Sequence, residues 1–158
     1  MVPATSTRAA AFALAALLTA GFPLSARAQL LNLSISPTTV TFPNSDPDTV
    51  PIVTSAVVQV TYRVRQNNNN PWILSVLANG HLIAGSATVD ISNVSWVATP
   101  SPPFQSGVLS RTVAQRVAGG IGNQANASQG QITFRLANSW NYVAGLYTQT
   151  IVFTLTAP

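Results

Sequence analysis

The chain has no cysteine in its 158 residues, and beyond residue 28 it has neither lysine nor glutamate. The missing cysteines exclude disulfide bracing, thiol nucleophiles and zinc sites built on sulfur. The missing lysine and glutamate remove the side chains that normally support surface helices through pairs one turn apart. Acid–base chemistry is equally scarce: His81 is the sole histidine, and Asp46, Asp48 and Asp90 are the only side-chain carboxylates. Five arginines (Arg63, Arg65, Arg111, Arg116 and Arg135) face those three aspartates after residue 28, leaving +2. They are spread along the chain, so the dense basic patch that neutralises phosphates is missing and nucleic-acid binding is excluded as a function.

Long hydrophobic runs are also wanting, with one exception at the N-terminus. Arg8 precedes an uncharged apolar run from Ala9 to Leu24, and Ala26-Arg27-Ala28 follows with the small-x-small pattern of a cleavage site. Gly21 and Pro23 interrupt the run, which is shorter than the ~20 residues that span a bilayer. Residues 1–28 therefore read as a secretory signal, with a mature chain beginning near Gln29 and no stable membrane span after cleavage. The expected location is outside the cytoplasm, whether periplasmic, secreted or on the cell surface. Residues 29–158 are sized for one domain.

Thr, Val, Ser, Asn and Gln dominate this domain, the composition of strands whose wet faces carry hydroxyls and amides. Period-two alternation marks them. Leu31, Leu33 and Ile35 alternate with Asn32 and Ser34 until Pro37. Val58, Val60, Tyr62 and Val64 share one face of the 56–65 stretch, and Trp72, Leu74, Val76 and Ala78 share one face of the next. Between 89 and 98, Ile91, Val94 and Trp96 point inward if a bulge restores parity after Ile91. Ile132, Phe134 and Leu136 form another inward set, and Ile151, Phe153 and Leu155 the last. The pattern predicts an all-β, immunoglobulin-like antiparallel sandwich of about seven to nine strands with no significant helix. Pro100, Pro102 and Pro103 are expected to cross between sheets in extended form. The stretch from Gly119 through Gly130 reads as a hinge followed by the most flexible loop.

Catalytic and ligand motifs are sparse. A Ser-His-Asp triad is arithmetically open to His81 and Asp90, but no Gly-x-Ser-x-Gly elbow accompanies them, and a histidine after Asn79-Gly80 reads as a solvated turn residue. Asn44 to Pro51, with Asp46 and Asp48, has the chemistry of Asx and proline turns, and no glutamate follows to complete a calcium shell. The sequons at Asn32, Asn93 and Asn126 read as chance occurrences. No cofactor or metal site and no catalytic residue is assigned. Trp72 and Trp96, set within alternating strands, read as core, whereas Trp140 and Tyr142 lie in a turn-rich approach to the last strand and are candidates for ligand binding.

The turn Gly145-Leu146-Tyr147-Thr148 leading into Ile151, Phe153 and Leu155 resembles the C-terminal strand of bacterial pilin-like and spore-coat-U-like surface proteins. The resemblance covers about the last twenty residues together with the exported all-β plan. It implies a non-catalytic fibre or coat subunit, in which the N-terminal strand of one copy completes the sheet of another. Leu31, Leu33 and Ile35 have the alternation for that part, with pairing inside their own domain as the other possibility. Ile151, Phe153 and Leu155 are the expected neighbours of that strand or of a donated copy. The chain departs from the pattern in lacking a cysteine pair and in ending on Ala157-Pro158. The expected partners are further copies or other surface proteins. An alternative function is a carbohydrate-binding or adhesive module, with polysaccharide recognised by exposed Trp140 and Tyr142.

Overall fold

The computed structural model describes residues 29–66 and 69–158, so the leader expected over 1–28 lies outside the described residues. Eleven strands run in the order β1 (Leu30–Ser36), β2 (Ile52–Thr54), β3 (Val58–Arg65), β4 (Pro71–Ala78), β5 (Leu82–Ala84), β6 (Ala87–Val89), β7 (Val94–Thr99), β8 (Gly107–Val108), β9 (Gln115–Ile121), β10 (Gln124–Ala137) and β11 (Ile151–Thr156). All pairings are antiparallel. The all-β expectation holds, but the count exceeds seven to nine. The additional elements are the two- and three-residue strands β2, β5, β6 and β8, too short to carry a hydrophobic period of their own.

One sheet has the order β1-β3-β10-β7-β8, with β2 also pairing β10; the second has the order β11-β4-β9, and β5 and β6 form a separate ribbon. The inward residues of β3, β10 and β7 share one buried cluster with those of β4 and β9. Val60, Val64, Leu74 and Val117 are fully buried there, as alternation predicts for strands with one wet face. β2 and β3 act as one interrupted strand along β10. At the interruption Ser55 donates its backbone N–H to Phe134 O at 2.9 Å, while its hydroxyl accepts the Phe134 N–H at 3.1 Å.

Aromatic packing fixes the centre. The Tyr62 ring lies 5.0 Å from Trp72 and meets Phe104 nearly edge-on at 5.7 Å, both within the range of favourable aromatic contacts. Phe104 comes from a connection rather than a strand and is wholly buried. It fits because position 130 is glycine: a Cβ there would stand 2.6 Å from Phe104 Cδ2 and nearer still to Cε2 and Cζ.

Three sequence expectations are corrected. Residues 124–130 are not a loop but the first half of β10, which takes up a register shift between Gln124 and Ser128. The proline segment makes a turn, with the Phe104 N–H donating to Pro100 O, and joins β7 to β8 within one sheet; the passage to the other sheet comes later, between Leu109 and Ala114. Ile91 is buried as expected, but a 3-10 turn over Ile91–Asn93, capped by Asp90, restores parity in place of a bulge.

Candidate functional site

The six residues singled out as assembly candidates gather along one flank. β1 is the edge of the larger sheet and β11 the edge of the smaller, and the two lie against each other. Leu31, Leu33, Ile35, Ile151, Phe153 and Leu155 point toward the core yet stay half-buried, unlike the sealed positions of β3 and β4 behind them. β1 pairs over its whole length with β3 of its own chain, Leu33 opposite Tyr62. β11 lies beside β1 but takes its hydrogen bonds from β4, with Phe153 opposite Val76. The two strands belong to different sheets, whose edges leave an apolar seam between them.

The flanks differ in how their edges are guarded. On the far flank β8 has two residues, and β9 carries Arg116, Gly119 and Gly120 and a register irregularity against β4. Short length, charge and irregularity are the usual protections of a sheet edge. β1 and β11 have none of these: both are regular in register and free of charge and proline.

The aromatic candidates part company. A turn closed by the Tyr142 N–H on Ser139 O places Trp140 at its corner and sends Tyr142 back against the core. Trp140 is 68 % exposed, and its indole N–H donates to Asp48 Oδ1 at 3.0 Å. Tyr142 is half-buried, and desolvation, followed by the nearby Tyr147, holds its hydroxyl above the ordinary phenol value. The Asn138 side-chain amide ties the two loops together by donating to Ser45 O at 3.0 Å and Val50 O at 3.1 Å. Neither Asp48 as the partner of Trp140 nor the Ser45 and Val50 carbonyls as those of Asn138 were legible from sequence, because the contacts join loops about ninety residues apart.

His81 and Asp90 do come together, and His81, read as a solvated turn residue, is half-buried. The Asp90 carboxylate lies 3.6 Å from His81 Nδ1, beside a cleft also lined by Ser92, Ser110, Arg111 and Gln115. The hydrogen bonds, however, run the wrong way for a triad. The Ile91 backbone N–H donates to His81 Nδ1 at 3.2 Å, so this nitrogen is an acceptor and the proton of the neutral ring sits on Nε2. Asp90 Oδ1 accepts the Ser92 N–H at 2.8 Å as the cap of the 3-10 turn. In a triad the carboxylate receives the Nδ1 proton and leaves Nε2 free as the base. Here the backbone and side chain of Ser92 are the main cause that holds the Asp90 carboxyl below the ordinary carboxylate value. The arrangement serves the turn.

Among the described residues no three His, Cys, Asp or Glu side chains gather as a metal site, and no helix is long and apolar enough to cross a membrane. No protein-family model, curated protein or solved structure matches the chain.

Proposed function

We propose that this protein is a non-catalytic, exported structural or surface subunit that self-associates by β-strand addition along the β1 and β11 flank. The observation that carries the reading is the asymmetry of the edges: one flank is guarded and the other is regular, uncharged and backed by half-buried apolar side chains. An unguarded edge is a template for another strand, and a half-buried inner row adds apolar area to the main-chain hydrogen bonds gained there. Export rests on the signal pattern of residues 1–28, and the resemblance of the last strand to pilin-like and coat proteins points the same way.

Ser34→Lys and Val152→Lys test it, each placing a charge on an outward position of one edge strand. Wild-type protein is expected to form concentration-dependent oligomers in sedimentation velocity, and the double variant to remain monomeric with stability altered by less than about 0.5 kcal/mol. A wild type that stays monomeric at about 1 mM, or a charged variant that assembles equally well, would sink the proposal.

A further inference from the structure

We propose that Trp140 and Asp48 form a binding platform for neutral, β-linked pyranose polysaccharide, a function independent of the assembly flank. A tryptophan 68 % exposed gives up most of the apolar area it might bury. This one is nevertheless held in place. Its indole N–H is fixed to Asp48 Oδ1, and the turn that carries it is closed on Ser139 O. Further bonds inside the turn satisfy the Ser139 N–H with Asn138 Oδ1 and the Asn141 N–H with Ser139 Oγ. The turn is stapled to the 45–50 loop through the Asn138 amide, so the ring is presented with little freedom left to lose on binding.

The chemistry around the ring selects the ligand. A flat π face suits the C–H face of a pyranose whose hydroxyls are equatorial, as in β-linked glucose units, and the ring hydroxyls need acceptors nearby. Asp48 supplies one: Oδ1 accepts the indole N–H, and the carboxylate retains acceptor capacity for a sugar hydroxyl. Asp46 stands in the same loop, so two carboxylates oppose uronic-acid polymers, and the region has no lysine to attract them. Tyr142 is withdrawn against the core and takes no part. Val143 and Leu146, 66 % and 76 % exposed, follow on the same segment.

The protein reports on this site by itself. Trp72 and Trp96 are buried at 4 % and 2 % exposure, so acrylamide-quenchable and ligand-sensitive emission comes from Trp140. Titration of the exported protein with cellohexaose is expected to shift that emission with saturation at a Kd of about 1 mM, as suits a single stacking residue. The shift should vanish in Trp140→Ala while the buried emission persists, which certifies the fold. Asp48→Ala, which frees the indole, should weaken binding about tenfold, and hexagalacturonate should bind at least tenfold more weakly than cellohexaose. No change at about 10 mM cellohexaose, an equal response in Trp140→Ala, or stronger binding of the uronate would overturn the proposal.

Discussion

Phe104 and Gly130 should behave as one unit, and the double-mutant cycle between them measures how far the fold rests on a side chain supplied by a loop. Phe104→Ala removes a wholly buried ring that meets Tyr62 edge-on, at an expected cost of about 3–5 kcal/mol. Gly130→Ala brings a methyl 2.6 Å from Phe104 Cδ2, where ordinary contacts begin at 3.4 Å. The ring has to give by the better part of an ångström with no exposed side to move toward, so the cost belongs near the upper end of about 1–3 kcal/mol. The backbone itself does not demand glycine, since Gly85 and Gly122 are the glycines with positive φ among the described residues. In the Phe104→Ala background the added methyl therefore meets an emptied site, and restricting the unfolded chain favours it by about 0.4–1 kcal/mol. The two substitutions should be coupled by roughly 2–4 kcal/mol, far outside additive behaviour. Urea unfolding followed by circular dichroism gives all four stabilities; with a slope near ~1.5 kcal/mol/M, a 3 kcal/mol loss moves the midpoint by about 2 M. Additivity within about 0.5 kcal/mol would refute the steric account of Gly130.

Two further outcomes follow from buried polar groups. Gln66 donates through Nε2 to Asn70 O at 2.7 Å and Gly122 O at 2.8 Å, tying two hairpin ends together; Asn70 O also accepts the Gly122 N–H at 3.0 Å, so Gln66→Ala strands the Gly122 carbonyl and should cost about 1–3 kcal/mol in the same urea assay. Burial raises the Tyr62 hydroxyl above its ordinary value, an effect the Ser128 hydrogen bond only partly offsets. The folded state then keeps this proton to higher pH than the unfolded chain, so stability is full below about pH 10 and falls as pH rises toward the folded value; Tyr62→Phe should flatten that decline in unfolding midpoints taken between about pH 8 and 11.

The strands that alternate cleanly were readable because a half-wet sheet writes its own period: β3, β4 and β11 stand where Val60, Leu74 and Phe153 put them. The start of β10 was not readable. Its core-facing place at residue 130 has to be empty for Phe104, and its register shift removes the alternation before that point. Proximity across the chain left no mark either, since nothing local to Trp140 names Asp48 and nothing local to His81 tells that Nδ1 would be taken by the Ile91 N–H. The candidate residues of β1 and β11 were legible as apolar alternation, but their meeting across a seam between two sheets depends on the order β11-β4-β9, which single-strand patterns do not encode.

The placement of both unguarded edges on one flank also constrains symmetry. Two copies that pair the same edge, β11 to β11 or β1 to β1, are related by a two-fold axis; each occupies the other's exposed edge, and growth stops at a closed dimer. An open filament needs a heterologous contact, one surface of a copy meeting a different surface of the next; because the far flank with its two-residue β8 and arginine-bearing β9 offers no matching edge, that contact has to join β1 of one copy to β11 of another or exchange a strand. Dimers or filaments thus diagnose different events: like rims paired in the first, and in the second unlike rims joined or a strand leaving its own sheet to occupy a neighbour's.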